Sequence, residues 1–112
     1  MLSIAHVVVD CTDAAALATF YAELLDTEVN PGASAYFATV AAAPTLMFIK
    51  VGDKTPGKNS VHIDLHAPEW LDYVERAESL GAKRIGEFDE YGAKWVTLAD
   101  PEGNLFDIGL SK

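Results

Sequence analysis

The three histidines of the chain fall in two short segments that also carry carboxylates. His6 and Asp10 lie four positions apart, and His62, Asp64 and His66 follow one another at intervals of two. Residues two or four positions apart share one face of an extended strand. Imidazole and carboxylate groups gathered on one face can bind a metal ion, exchange protons with a substrate, or attract a cationic ligand.

Apolar residues between these polar ones predict the strands that hold them. The first strand is predicted over Ile4–Val9 and its counterpart over Val61–His66, because both segments are rich in β-branched and apolar residues. Alternate positions along each strand are uniformly apolar, so one face can pack on helices. The opposite face, with the histidines and carboxylates, is either solvated or forms a ligand site.

Helical periodicity follows each of these strands. The first helix is predicted from a cap at Thr12 or Asp13 to about Leu25. Its predicted buried stripe is Leu17, Phe20, Tyr21 and Leu24, and its predicted outer face is Ala14, Ala15, Ala18, Ala22 and Glu23. The second helix is predicted over Glu69–Leu80 and ends at Gly81. Its predicted core-facing residues are Leu71, Val74, and Ala77 or Glu78.

The order strand, helix, three strands occurs twice along the chain. The later strands include Ala35–Val40, Thr45–Val51, Ala82–Gly86, Lys94–Leu98 and Asn104–Ile108, and a polar loop, Gly52–Asn59, separates the copies. His6 aligns with His62 at an offset of 56 residues, and a later offset of 59 aligns Phe48 with Asp107. The repeat predicts one α+β domain over residues 1–112, with βαβββ modules 1–55 and 58–112 forming a curved mixed sheet, a cup with the helices on its outer face.

Composition narrows the class of partner. The chain of 112 residues has 17 acidic and 8 basic residues, a net charge of −9. Such a field repels nucleic acids and anionic membranes, and it favours a cationic or neutral small-molecule ligand. The single cysteine, Cys11, excludes an intrachain disulfide, and no apolar run approaches the ~18 residues of a membrane span. A cytoplasmic location is therefore predicted.

Several segments together resemble the vicinal oxygen chelate superfamily, which includes glyoxalase I, extradiol dioxygenases, fosfomycin-resistance enzymes and bleomycin-binding proteins. The resemblance covers essentially the whole chain. It is carried by His6–Asp13, Phe20-Tyr21 with Leu24-Leu25, Val61–Leu65, Leu80-Gly81-Ala82 and Asp100-Pro-Glu-Gly-Asn104. These segments are typical of the fold and say little about the reaction.

The resemblance implies where a metal ion would be held. Enzymatic members use side chains from the first and last strands of each module, which correspond here to His6, Phe48, His62 and Asp107. A phenylalanine cannot coordinate a metal, so the four-ligand pattern of glyoxalase I is broken. The remaining set of His6, His62 and Asp107 suits Fe, Zn, Mn or Ni.

Two functions follow from the resemblance, and the binder is slightly favoured. The first is a non-catalytic binder of a small, cationic ligand, contacted by Asp10, Phe48, His66 and Trp95. The alternative is a divalent-metal-dependent lyase, isomerase or dioxygenase acting on a vicinal-oxygen substrate, with Asp64 as the general base. Trp95 and Tyr36 are predicted at matching places in the two modules. Members of the superfamily commonly form two-fold dimers, so the resemblance also implies a homodimer. A third hypothesis is that the protein is an interaction domain that binds no small-molecule ligand.

Overall fold

The computed structural model describes residues 1–52, 61–90 and 92–110. The chain divides into two compact units, Met1–Thr55 and Pro56–Lys112. The first unit contains β1 (His6–Cys11), α1 (Ala14–Leu24), β2 (Phe37–Val40) and β3 (Thr45–Lys50). The second contains β4 (Ile63–Ala67), α2 (Trp70–Ser79), β5 (Lys83–Glu90), β6 (Ala93–Ala99) and β7 (Leu105–Leu110). Most of the predicted loop Gly52–Asn59 lies outside the described residues.

Each unit builds one mixed sheet, and the three strands of the first sheet match three of the four strands of the second in order and direction. In the first, β1 pairs in parallel with β3, and β2 pairs antiparallel with the other side of β3. In the second, the order is β4-β7-β6-β5, with β4 parallel to β7 and the other pairs antiparallel. In the first sheet, an isolated bridge joins Val29 to Val40 of β2. This bridge takes the place that β5 has beside β6 in the second sheet. The predicted α+β fold with a repeated βαβββ order is confirmed.

The first helix is buried on a wider stripe than its sequence predicts. Asp13 caps it by accepting a hydrogen bond from the backbone N–H of Ala16 at 3.2 Å, and the four predicted core residues are buried. The predicted outer face is partly wrong, since Ala14, Ala18 and Ala22 are also buried. An alanine fits both a close contact and a solvated face, so its size does not reveal its surroundings.

The second helix is held by a narrower contact. Its buried residues are Val74 and Ala77, whereas Leu71, predicted to face the core, is 54% exposed. Gly81 follows the helix with a φ of 115°, a conformation that glycine adopts without strain, and the predicted stop is confirmed. Within residues 1–52, 61–90 and 92–110, no helix is long and apolar enough to cross a lipid bilayer.

The turn between β6 and β7 fixes the register of the strands that carry the site. The backbone N–H of Gly103 donates to the carbonyl of Asp100 at 2.8 Å, as the predicted turn requires. The Asp100 carboxylate also accepts from the backbone N–H groups of Glu102 and Asn104, at 2.9 and 3.0 Å. Counting outward from this turn pairs Thr97 with Asp107.

Candidate functional site

One face of the second sheet lines an open groove of about 760 Å³. The buried residues of β6 and β7, which include Val96, Leu98, Phe106 and Ile108, face the core. The residues that alternate with them, including Trp95, Thr97, Asp107 and Gly109, line the groove. On β4 the groove-lining residues include Asp64 and His66, so the polar face predicted from the sequence lies along this groove.

Three side chains converge at one part of the groove, and we refer to His62, Asp64 and Asp107 as the carboxylate cluster. The Nε2 atom of His62 lies 3.1 Å from Oδ1 of Asp64 and 3.4 Å from Oδ2 of Asp107. One donor atom from each residue lies within 4.8 Å of the others. The side chains of His62 and Asp64 are 45% and 74% exposed, whereas that of Asp107 is 18% exposed.

Strand register explains this convergence. Asp64 on β4 is the parallel partner of Asp107 on β7, and side chains of paired residues point to the same face of a sheet. Thr97 on β6 is the antiparallel partner of Asp107, and its Oγ1 donates a hydrogen bond of 2.6 Å to Oδ1 of that carboxylate. The other oxygen, Oδ2, faces His62. Thr97 therefore fixes which Asp107 oxygen the cluster presents.

A pair of aromatic rings lines the next part of the groove. Phe88 on β5 is the strand partner of Trp95 on β6, and their rings stack with centroids 5.2 Å apart and planes 17° apart. The next partner of Trp95 across the sheet is Gly109, whose partner on β4 is His66. Predicted ligand contacts Trp95 and His66 therefore belong to one row of the sheet.

Phe48 lies in the core of the first unit and not on its polar face. Its side chain is 0% exposed and stacks on Tyr21 of α1 at 5.7 Å. Phe48 pairs with Val9 as Ile108 pairs with Leu65, so the correct offset in the last strand is 60, not 59. The prediction that Phe48 contacts a ligand is therefore wrong.

Met47 replaces Phe48 as the counterpart of Asp107. Met47 pairs with Val8 as Asp107 pairs with Asp64, so it occupies the equivalent place on the first sheet. A thioether is a soft, weak ligand for hard divalent ions. The missing metal ligand of the first unit therefore stays a prediction, and it now concerns Met47 and not Phe48.

The remaining predicted site residues of the first unit lie on β1. His6 and Asp10 are exposed there, and they alternate with the half-buried Val7 and Val9, as predicted. The participation of His6 in a metal site and of Asp10 in ligand binding stay predictions.

The structure also changes the aromatic equivalence between the units. Phe37 pairs with Ile49 as Trp95 pairs with Gly109, so Phe37, not Tyr36, corresponds to Trp95. Sequence reasoning also missed the groove residues Phe88, Thr97 and Gly109. Thr97 could have been found by counting outward from the turn at Asp100–Asn104, because a hairpin pairs residues symmetrically about its turn.

Two of the distances within the carboxylate cluster match those between ligands of one divalent metal. Two atoms bonded to one ion at about 2.1 Å lie roughly 3.0–3.5 Å apart, depending on the coordination geometry. The distances from His62 to the two carboxylates fall in this range. One imidazole and two carboxylates are suitable ligands for Mn²⁺, Fe²⁺ or Zn²⁺. His62 also lies within ion-pair distance of both carboxylates without an ion.

Comparison with solved structures identifies the fold. A glyoxalase/bleomycin resistance protein/dioxygenase family enzyme from Burkholderia phytofirmans PsJN is 19% identical, with a TM-score of 0.82 over 95% of this chain and 96% of that one. Fosfomycin resistance protein FosX from Listeria monocytogenes is 16% identical, with a TM-score of 0.76 over 100% and 95%. Lactoylglutathione lyase from Agrobacterium tumefaciens is 16% identical, with a TM-score of 0.71 over 97% and 93%.

Sequence comparison gives the family. No curated protein matches the chain. The family profile described as a glyoxalase-like domain matches residues 6–109, which is nearly the whole sequence. The protein thus belongs to the glyoxalase-like domain family, within the vicinal oxygen chelate superfamily.

Proposed function

We propose that the protein binds a small cationic molecule in the groove of the second unit, without transforming it. The observation that carries this proposal is the pairing of Asp64 and Asp107 on adjacent strands, with His62 against both. Two carboxylates facing one space attract positive charge, and the net charge of −9 adds a long-range field of the same sign.

The aromatic part of the groove supports a ligand of this kind. The indole of Trp95 and the ring of Phe88 offer an apolar, polarisable surface beside the carboxylate cluster. A cation over such a ring gains about 0.5–2 kcal/mol, depending on how fully it is desolvated. The groove thus combines charge attraction with ring contact, which a merely solvated sheet face does not need.

Calorimetric titration with a panel of small organic cations tests this proposal. Asp64→Asn removes one charge from an exposed position and is expected to weaken binding about fivefold. The matched control is Val8→Asn, because Val8 occupies the equivalent place on the first sheet. Undiminished binding in Asp64→Asn, or no binding of any cation to the wild type, would contradict the proposal.

A second candidate function is that of a divalent-metal-dependent lyase, isomerase or dioxygenase acting on a vicinal-oxygen substrate. The convergence of three donor atoms within 4.8 Å in the carboxylate cluster favours it. His62, Asp64 and Asp107 would hold the ion, which when bound supplies Lewis acidity toward substrate oxygens. Asp64, predicted as a general base, would then act as a ligand, because it lies 3.1 Å from His62.

The variant His62→Ala separates the two functions. In a metalloenzyme it removes one ligand, so bound metal and turnover are both expected to be lost. In a cation binder, affinity rests on the carboxylates and rings and is expected to persist. Metal content measured on protein purified without chelator, beside calorimetry with organic cations, distinguishes these outcomes. The same measurements on His6→Ala test whether His6 contributes a ligand.

We further propose that the protein is a cytoplasmic homodimer. Several large apolar side chains are strongly exposed in the single chain, including Val8, Leu71 and Ile85 at 51, 54 and 57%. A two-fold dimer would remove such surface from water. Cys11 is buried and is the single cysteine of the sequence, so no intrachain disulfide requires an oxidising compartment. Sedimentation is expected to show a dimer at micromolar concentration, and a strict monomer would contradict this.

A further inference from the structure

Four residues form one row across the second sheet, one on each strand. Phe88 pairs with Trp95, Trp95 with Gly109, and Gly109 with His66. All four line the groove. Three of them carry flat rings, and the third position in the row carries no side chain.

The geometry of the stacked pair shows how the rings stand. The centroids of Phe88 and Trp95 are 5.2 Å apart, which is close to the ~4.8 Å between neighbouring strands. The rings therefore stack across the two strands, and the Phe88 ring is inclined along β5, since a Cβ atom placed on Gly86 would lie 3.1 Å from its Cε2 and Cζ atoms. One face of the Trp95 indole meets Phe88, so its other face turns toward the strand of Gly109.

Gly109 places no side chain of its own on the groove side of β7. A Cβ atom placed on Gly109 would lie 3.1 Å from the carbonyl oxygen of Lys94 and 3.2 Å from Cβ of Trp95. The third nearest atom, Cα of Trp95, is 3.8 Å away, so no atom of the indole ring is nearer than that. The backbones of Trp95 and His66 are two strand spacings apart, roughly 9.6 Å. A ring between two others needs about 7 Å between the outer planes.

We propose that the space above Gly109, between Trp95 and His66, is a slot for a flat, positively charged ring of the ligand. This inference rests on the proposed binding function and names the ligand class. The carboxylates Asp64 and Asp107 lie two residues along the strands from the slot, about 7 Å away. They favour positive charge on the ring, and the indole face prefers a cation to a neutral group.

A structural explanation for Gly109 predicts a different result. The close approach of Lys94 and Trp95 already disfavours any side chain at this position, whatever the groove binds. If that is its whole role, the groove has no preference for flat ligands over puckered ones of the same charge. Two matched cations therefore distinguish a slot from a packing requirement.

The test is a titration of ¹⁵N-labelled protein with N-methylpyridinium and, separately, with N,N-dimethylpiperidinium. Both cations carry one charge, but only the first is flat. The pyridinium is expected to bind about threefold to tenfold more tightly. Trp95→Leu and His66→Ala are each expected to reduce this preference, because each weakens binding of the flat pyridinium more than binding of the piperidinium. Phe37→Leu, in the equivalent row of the first sheet, serves as the control.

The outcomes separate the slot from the broader function. Equal affinity for the two cations, or a flat-ring preference that survives both Trp95→Leu and His66→Ala, overturns the slot and leaves the binding function standing. Absence of binding by either cation in the groove overturns both. If Trp95→Leu fails to fold, His66→Ala carries the test, because His66 is exposed and not part of the core.

Discussion

The two units place different residues on the same framework. The row nearest the middle of each sheet consists of Val8, Met47 and Thr39 in the first unit and of Asp64, Asp107 and Thr97 in the second. The next row consists of Asp10, Ile49 and Phe37 in the first and of His66, Gly109 and Trp95 in the second. The second sheet thus combines facing carboxylates with ring-bearing residues on either side of a glycine, and the first sheet has neither.

The core positions of the two units, by contrast, keep one character. Leu46 and Phe48 of β3 are buried, as are their counterparts Phe106 and Ile108 of β7. Packing on a helix requires apolar residues at these places in both units, whereas the opposite face is free to vary. The residues that specify the fold are therefore present in both units, whereas the facing carboxylates are present only in the second.

The largest expected effect concerns the core assignment of Phe48. Phe48→Ala is expected to lower the free energy of unfolding by about 3–5 kcal/mol, because the ring is fully buried against Tyr21. Urea unfolding measures this. Cation binding by the fraction that remains folded is expected to be unchanged. A stable variant with altered cation binding would contradict the core assignment and indicate that Phe48 contacts the ligand.

The equivalent threonines Thr97 and Thr39 differ in the kind of group to which they are hydrogen-bonded. Thr97 donates to the Asp107 carboxylate at 2.6 Å, whereas Thr39 accepts from the amide of Asn30 at 2.9 Å. Thr97→Val is expected to cost about 1.5–3 kcal/mol of stability and Thr39→Val about 0.5–1.5 kcal/mol, because bonds to charged groups are stronger. Thermal denaturation of the two variants compares them. Equal costs would show that the Asp107 oxygen is not held by a charge-assisted bond.

Removal of charge in the second unit comes next. Asp107→Asn is expected to weaken binding of Mn²⁺ or an organic cation about tenfold, because Asp107 is the less exposed carboxylate of the cluster. Met47→Leu, at the equivalent place, is expected to change affinity less than twofold. Calorimetry on both variants provides the measurement. A comparable loss in Met47→Leu would break the claim that the candidate chemistry lies in one unit.

The smallest effect is expected at Arg84, which joins α2 to β5. Its guanidinium bonds Glu78 at 2.8 Å and also bonds Glu87. These hydrogen bonds, the one to Glu78 first, raise the pKa of Arg84 above its usual value, so its guanidinium stays charged. Arg84→Ala is expected to cost at most about 1 kcal/mol, since the pairs are exposed. A larger loss in thermal denaturation would indicate that α2 depends on them.

Periodicity predicts most of the fold because burial controls it. The strands around Val7 and Ile63 and both helices follow from alternating or helical patterns of apolar residues. β5 continues to Glu90, beyond the predicted end at Gly86. The prediction stopped short because nearly all residues of this strand are exposed, so its sequence has no apolar alternation that would indicate a strand. The buried alanines of α1 escaped prediction for the opposite reason, since a small side chain suits either environment.

Strand alternation predicts on which face of a sheet the site residues lie, but not which residues of neighbouring strands are paired. His62, Asp64 and Asp107 were expected on one face, and they do share it. Phe48 was misplaced because an alignment error of one residue moves a side chain to the opposite face of a sheet. The stack of Phe88 on Trp95 depends on pairing between β5 and β6, which no local pattern in the sequence reveals.

The most direct test of the proposed binding site is a map of where a cation binds. In ¹⁵N-labelled protein titrated with N-methylpyridinium, we expect shifts of amide signals on β4, β6 and β7, centred on Asp64, Trp95 and Asp107, and a reduction of these shifts in Asp64→Asn. Amides of β1, β2 and β3 are expected to shift little. Shifts centred on the first sheet, or on the exposed acidic residues of α2, would contradict the claim that the groove of the second unit is the binding site.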